Sequence, residues 1–236
     1  MGSQKKNQEK AELHMSIGNA HFEKRNYPYA LQELLRAEEL DPRNPLIQNN
    51  LGLVYFMRQR YDLSEKHLLK ALALEPKFSD ARNNLGRVYI DMKRYVDSEK
   101  MLRMALADLT YAGADRAWFN LGLLQFNQKK WLDAKASFEN SLSVVRDSCL
   151  TNTYLGRTLF EMKDYPSAAL SLDRAVGFCQ SQMYDEPHYY SALAWFRSGD
   201  TDKAKARFQE IIQLYPEGVY REKARAMIPL IEKGAK

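Results

Sequence analysis

The chain has 236 residues, of which 45% are hydrophobic and 28% are charged, and its formal net charge is +5. That hydrophobic content can bury a large core. Lysines and arginines alternate with acidic residues instead of forming runs, a pattern typical of solvated helix faces that argues against a nucleic-acid arm. No apolar run approaches the ~18 residues that a membrane-spanning helix needs.

The chain opens with a polar segment, Met1–Lys10, that has no apolar stretch and no small-residue cleavage site. It therefore does not resemble a signal peptide. We expect residues 1–10 to be a polar leader outside the folded repeats, with Met-Gly-Ser as a cloning remnant. Any native export signal would have been removed from this sequence.

A seven-residue stretch recurs along the chain with a constant period. Asn49–Tyr55 returns almost letter for letter as Asn83–Tyr89, and the glycines of this stretch fall at residues 18, 52, 86, 122 and 156. A period near 34 residues indicates a repeat architecture. We predict six repeats, followed by residues 219–236: Ala11–Asn44, Pro45–Phe78, Ser79–Ala112, Asp115–Ser148, Cys149–Gln182 and Asp185–Gly218.

Each repeat is predicted to form two helices. Positions 4, 7, 8 and 11 have the spacing of one helix face, as do positions 20, 24, 27 and 28. Small residues at positions 8 and 20 allow the two helices to pack closely. Pro28 fits the first turn of a helix, whereas Pro42 and Pro76 end one. Val219–Glu232 is predicted to form a capping helix that Pro229 kinks or ends, with the covering residues Val219, Ala226, Met227, Leu230 and Ile231.

The pattern of Leu-Gly, Ala, Phe or Leu, Ala and Pro at these positions resembles the tetratricopeptide repeat family over about residues 11–218. The resemblance implies an all-α fold, a right-handed α-solenoid of six tetratricopeptide repeats with a C-terminal capping helix. For function it implies only a protein-binding scaffold, because these repeats serve many partners.

A closer resemblance rests on three segments. They are the junction Ala107–Tyr111, which lacks proline and precedes a two-residue insertion, the repeat containing Arg116–Leu124 and Ala134–Leu142, and the degenerate ending Gln213–Tyr220. With six repeats, they resemble the type IV pilus pilotins, periplasmic lipoproteins that help the pilus secretin reach and assemble in the outer membrane. The chain departs from that family by lacking a lipidated N-terminal cysteine, so a membrane contact is expected only through a lipid anchor absent from this chain.

The architecture implied by the resemblance directs positions 2, 5, 9, 12 and 13 into a concave groove built by the first helices. Position 12 is apolar in all six repeats, although it could instead belong partly to the core. Positions 5 and 9 are expected to project further into the groove, with Phe119 and Leu123 at its centre. The candidate groove residues are Met15, Phe22, Leu53, Phe56, Arg87, Ile90, Phe119, Leu123, Phe126, Arg157, Phe160, Tyr189, Leu193 and Phe196.

Other polar residues favour no further site. The chain lacks nucleophile-elbow, phosphate-loop and His-Glu-x-x-His motifs, so we expect no enzyme, no metal and no cofactor. His14 and His21 lie at packing positions. Asn19, Asn50 and Asn84 could help to hold a C-terminal carboxylate, but Met15 and Asp80 replace the cations that such a site needs. We interpret these asparagines as bonding to the backbone between hairpins.

Cys149 and Cys179 lie at the start and near the end of the fifth repeat, where the two ends of a hairpin meet. They form a disulfide that staples the hairpin, or they are two unrelated buried thiols. A disulfide would favour the periplasm.

We expect a scaffold that shields a segment of a secretin subunit until the secretin assembles, located in the periplasm at the outer membrane if an export signal was trimmed. The alternative is a cytoplasmic adaptor that joins signalling or polarity proteins through the same groove. An N-terminal signal ending in a lipidated cysteine, or its absence, would separate the two.

Overall fold

The structure is a computed structural model that describes residues 2–179 and 184–234. Gln182, the predicted end of the fifth repeat, and residues 235–236 of the predicted tail lie outside these ranges. The chain divides into two compact units, residues 1–120 and 121–236, with the division inside α7. All regular elements in the described ranges are helices: α1 (Gly2–Glu23), α2 (Tyr27–Leu40), α3 (Pro45–Met57), α4 (Tyr61–Leu74), α5 (Ser79–Asp91), α6 (Tyr95–Leu106), α7 (Ala114–Asn127), α8 (Trp131–Val144), α9 (Cys149–Glu161), α10 (Tyr165–Cys179), α11 (Glu186–Ser198), α12 (Thr201–Leu214) and α13 (Arg221–Gly234).

The helices pair as hairpins whose turns pass through a left-handed residue. In the first unit these residues are Arg25, Gln59 and Lys93, with φ values of 58°, 59° and 59°. The next residue then donates its N–H to a carbonyl five residues back, as Arg60 does to Tyr55 at 2.9 Å. The reversal satisfies a carbonyl at the end of the first helix and allows the second helix to begin immediately.

Close approach of the two helices explains the small residues at positions 8 and 20. A Cβ atom on Gly52 would lie 2.6 Å from Cγ of Leu68, closer than non-bonded carbon atoms approach. The hydroxyl of Ser64, at position 20, donates to the carbonyl of Gly52 at 2.7 Å, and Ser98 donates to Gly86 at 2.8 Å in the next hairpin. The glycine therefore serves both steric fit and a buried hydrogen bond.

Successive hairpins of the first unit bury a shared core. The second helix of one hairpin packs against the first helix of the next, so each hairpin covers the face that its neighbour leaves open. Between the first two hairpins the fully buried residues are Ala30, Leu34, Ala37, Ile47, Leu51 and Val54.

A buried polar network lies beside this core. Gln48, which is fully buried, donates to Glu38 at 2.9 Å, and Lys70 donates to the same carboxylate at 2.8 Å. Because its amide nitrogen is engaged there, the Gln48 oxygen accepts from Nδ1 of His67 at 2.8 Å. Burial lowers the pKa of His67, so the neutral ring is the form that suits the folded state.

In the second unit, α10, α11 and α12 are joined through one carboxylate. Asp173 accepts from the Ser191 hydroxyl at 2.6 Å, from the Trp195 indole at 3.0 Å and from Arg207 at 3.0 Å. Three helices thus share a single half-buried acceptor, and the arginine supplies the compensating charge.

The last helix covers α12 with a set of residues that matches the predicted set only in part. Ala224 and Ile231 are buried against Phe208 and Ile211, whereas Val219 is 79% exposed. Leu230 and Ala226 are also exposed, so the prediction is wrong for Val219, Ala226 and Leu230, whereas Ile231 and the half-buried Met227 do pack against this core. Pro229 does not end α13, which continues to Gly234.

Cys149 and Cys179 form a disulfide with a Cα–Cα distance of 5.0 Å, between the start of α9 and the end of α10. The bond lies among buried residues and closes the open end of the fifth hairpin. In the chain-entropy model, a loop of this length contributes about 3–4 kcal/mol.

Residues 2–10 of the predicted polar leader are part of α1, which begins at Gly2. Glutamine, lysine and glutamate are good helix formers and extend the first helix into solvent. None of the helices in residues 2–179 and 184–234 is long and apolar enough to cross a membrane.

Candidate functional site

Six asparagine side chains form a continuous chain of hydrogen bonds across the first helices of the first unit. The bonds between residues of different helices are all 2.9 Å, and the two bonds between neighbours in one helix are 3.2 and 3.3 Å. We call this set the asparagine ladder. From donor to acceptor it runs Asn120, Asn83, Asn84, Asn49, Asn50 and Asn19.

The ladder corrects the sequence-based interpretation that these asparagines bond to the backbone between hairpins. The amides pair with one another instead. Each amide has two N–H groups and two acceptor positions on its oxygen, and the ladder uses at most one donor and one acceptor of each. Because Asn19, Asn50 and Asn84 are half-exposed, the remaining groups can reach a ligand.

Two open cavities lie along the ladder. The first, of about 350 Å³, is lined by ladder residues and by Met15, Leu53 and the Asp80–Arg116 ion pair, whose atoms are 3.0 Å apart. The second, of about 290 Å³, shares Leu53 and adds Phe22. This face of the first unit therefore combines main-chain-like amides, apolar walls and one polar edge.

The second unit carries a different cluster, centred on Arg157. The guanidinium carbon lies 4.9 Å from the ring centre of Phe126, 5.1 Å from that of Tyr154 and 4.9 Å from that of Tyr190. The same group pairs with Glu186 at 2.8 Å. Three rings and one carboxylate thus surround a single cation.

The electrostatics of this cluster keep the arginine charged. Burial opposes the charge of Arg157, but the Glu186 carboxylate and the nearby tyrosines raise its pKa overall. Glu186 also accepts from the Tyr184 hydroxyl. Nε of Arg157 is buried without a hydrogen-bond partner, which is consistent with a side chain held by its rings and by one end of the guanidinium group.

Comparison with known families identifies the repeats. Models described as tetratricopeptide repeat match residues 45–78, 67–100 and 188–218, and a model described as TPR repeat matches residues 18–59. These matches lie in both units. The matches at residues 45–78 and 188–218 follow the hairpins α3–α4 and α11–α12, and the other two span parts of neighbouring hairpins.

Residues 18–100 and 188–218 of this chain carry tetratricopeptide repeats.

Solved structures show the same solenoid fold. PilF of Pseudomonas aeruginosa is 23% identical, with a TM-score of 0.80, and the match covers 94% of this chain and 99% of that one. PilW, a widely conserved type IV pilus biogenesis factor, is 18% identical, with a TM-score of 0.82 and coverage of 90% and 97%. YrrB, a tetratricopeptide repeat protein with an unusual peptide-binding site, is 15% identical, with a TM-score of 0.60 and coverage of 82% and 97%. The curated proteins include no match.

Position 12 of the tetratricopeptide repeats packs within its own hairpin. The Phe22 ring meets Tyr27 at 5.6 Å and the Phe56 ring meets Tyr61 at 5.9 Å, each at the start of the second helix. Ile90 is only 2% exposed, so its place among the groove residues is wrong. The apolar column at position 12 is thus explained in large part by hairpin packing.

Other predicted groove residues of the first unit have mixed surroundings. Met15 and Leu53 line the cavities on the ladder. Arg87 lies over the Phe56 ring at 5.6 Å and pairs with Asp91 at 3.4 Å, while Phe119 is half-buried.

In the second unit the structure brings several predicted residues together. Phe126 and Arg157 belong to the cluster described above, and Phe160 contacts both Tyr165 and Tyr190. Tyr189 stacks on Tyr220 with ring centres 4.5 Å apart. The remaining predicted residues are less accessible: Leu193 and Phe196 are half-buried against the core of the last repeat, and Leu123 is only 7% exposed, which contradicts its predicted place at the centre of a groove.

Position 6 of the repeat was not predicted to form one column of interacting side chains. Position 6 holds Asn50, Asn84 and Asn120 in the first unit and Tyr154 and Tyr190 in the second, and these residues build the ladder and the arginine cluster. The repeated Asn-Asn pair in the recurring stretch was the available signal.

The histidines have structural partners. Nδ1 of His14 lies 2.6 Å from the Glu33 carboxylate, and His21 stacks on Tyr29 with ring centres 5.5 Å apart. Over residues 2–179 and 184–234 no group of three or more His, Cys, Asp or Glu side chains is placed to hold a metal ion.

Proposed function

We propose that this tetratricopeptide repeat protein binds a protein segment on the ladder face of its first unit, and that it acts as a pilotin-like chaperone of type IV pilus secretin assembly. The observation that carries the binding proposal is the asparagine ladder, which runs beside Met15 and Leu53 in one open cavity. The action is stoichiometric, and no chemical step is required.

The chemistry of the face favours an extended segment. A bound main chain presents alternating N–H and C=O groups, which match the unused donors and acceptors of the half-exposed asparagines. An apolar side chain of the segment enters the cavity between Met15 and Leu53, where burial provides most of the affinity. Asp80 and Arg116 at the edge supply one site of each charge and thereby favour one direction of the segment.

Two observations support the pilus assignment. PilF and PilW share the fold over nearly the whole chain, and PilW is a type IV pilus biogenesis factor. The Cys149–Cys179 disulfide favours an oxidising compartment such as the periplasm, where secretin subunits travel to the outer membrane. We therefore propose a secretin subunit as the partner and the periplasmic side of the outer membrane as the location.

The test is calorimetric titration of the purified chain with a secretin subunit, comparing Leu53→Ser with Leu69→Ser. Leu69 lies on α4 of the same unit, is 46% exposed and does not line either cavity, so it controls for loss of a surface leucine. Burying a leucine against a partner contributes ~1.5–3 kcal/mol, so Leu53→Ser should weaken binding about 10–100-fold. Leu69→Ser should bind as the wild type does.

Wild-type affinity of a stably folded Leu53→Ser variant would exclude the ladder face. The adaptor function would be supported instead if the wild-type chain bound no secretin segment but bound a cytoplasmic protein, and if that binding were lost in Leu53→Ser.

A further inference from the structure

The turns between the two helices of each hairpin form a basic edge on the first unit. These turns are Lys24–Asn26, Arg58–Arg60 and Met92–Arg94, and we call them the turn edge. They contain no acidic residue. Their six cations are Lys24, Arg25, Arg58, Arg60, Lys93 and Arg94.

Stacking brings the turns of neighbouring hairpins to the same side of the unit. Arg94, in the third turn between helices, pairs with Glu65 of α4 at 2.7 Å. Asn50 pairs with Asn19 at 2.9 Å, which aligns the first helices of the first two hairpins. The cations of the three turns therefore lie along one edge and not on opposite faces.

Local acids neutralise only part of this edge. Arg60 pairs with Asp62, and Arg94 pairs with Glu65 and Asp97. Glu23 is an exposed acid at the end of α1. Within residues 2–179 and 184–234, no ion pair involves the other four cations, Lys24, Arg25, Arg58 and Lys93, and all four are exposed.

The backbone does not explain why cations occupy the turns. Arg25 and Lys93 have φ values of 58° and 59°, a region that favours glycine, and the equivalent residue of the last repeat is Gly199 with φ of 94°. Both side chains are exposed, so little packing is available to offset the unfavourable conformation. The residue type is therefore better explained by a role at the surface.

Exposed apolar side chains lie among these cations. Val96, one residue into α6, is 84% exposed, Met57 at the end of α3 is 43% exposed and Tyr29 near the start of α2 is 58% exposed. Cations interleaved with apolar and tyrosine side chains match the interface of an anionic bilayer, where phosphates meet the charges and the apolar groups enter the headgroup region. A nucleic-acid backbone, or a soluble polyanion such as polyglutamate, would leave these apolar groups in water.

We propose that the turn edge of the first unit is a docking surface for anionic phospholipid headgroups. No residue of the turn edge lines either cavity of the ladder face, so the chain can lie on a membrane while that face stays accessible to a partner.

The test is co-sedimentation of the full chain with vesicles of phosphatidylcholine alone or with phosphatidylglycerol added, at low and high salt. The decisive variant is Arg25→Gly with Lys93→Gly, because glycine suits the left-handed backbone and should preserve or raise the melting temperature. Each Lys or Arg near an anionic surface contributes roughly fivefold to partitioning, so the double variant should partition about 25-fold less. Lys163→Gly is the matched control, since Lys163 has the same backbone geometry, with φ of 64°, but is followed by Asp164.

The expected result is salt-sensitive binding of the wild type and of Lys163→Gly to phosphatidylglycerol vesicles, with little binding to phosphatidylcholine. Val96→Ser should weaken binding to the vesicles without changing the affinity for soluble polyglutamate. Three outcomes would each overturn the proposal. The first is equal partitioning to both vesicle types, and the second is wild-type binding by the double glycine variant. The third is tighter binding to polyglutamate than to vesicles, with no effect of Val96→Ser on vesicle binding.

Discussion

Replacing Asn84 by alanine should break the asparagine ladder at its centre. The substitution removes the 2.9 Å bond to Asn49 and the 3.3 Å bond from Asn83. The side chains that lose these bonds, Asn49 and Asn83, are only 6% and 3% exposed. Each lost bond costs about 0.5–1.5 kcal/mol, and each stranded buried group adds to that cost unless water enters the gap. Alanine is the better helix former by several tenths of a kcal/mol, so we expect a net loss of about 1–2 kcal/mol.

The assay is urea denaturation followed by circular dichroism, with Asn140→Ala as the control. Asn140 is an exposed residue inside α8, so its replacement has the same helix-propensity gain without a ladder bond. The control should be neutral or slightly stabilising. If Asn84→Ala and Asn140→Ala have the same free energy of unfolding within about 0.5 kcal/mol, the ladder contributes nothing and the reasoning fails.

Three further outcomes are expected. Reducing the Cys149–Cys179 disulfide should lower the free energy of unfolding by about 3–4 kcal/mol, and an unchanged urea midpoint under reductant would contradict the staple. Gly52→Ala should lower the free energy of unfolding by about 1–3 kcal/mol because its Cβ atom would meet Leu68. Gly177→Ala should raise it by about 0.5–1 kcal/mol, since the added Cβ atom would have no neighbour within 4 Å. Equal effects of the two variants on the melting temperature would refute the steric argument. Because burial lowers the pKa of His67 in the folded chain, the unfolded chain binds more protons than the folded chain as the pH falls below 6.5. The melting temperature should therefore fall over that range, and it should fall less in His67→Gln. Identical pH profiles of the two proteins would show that His67 does not cause the pH dependence.

Local features of the sequence were sufficient to predict the hairpins. The 34-residue period, the small residues at positions 8 and 20 and the prolines after the second helices act within one repeat, where spacing alone places each side chain on a helix face. Gly52 opposite Leu68 is one such case, since the close approach that requires glycine lies inside a single hairpin.

The same period could not determine which face binds a ligand. A position in the repeat has one direction on its helix, but its exposure depends on the side chains that the neighbouring helices supply. Leu53 and Leu123 both occupy position 9, yet Leu53 lines a cavity and Leu123 is buried. The asparagine ladder and the rings around Arg157 likewise draw each contact from a different helix, so only the tertiary structure decided that they meet.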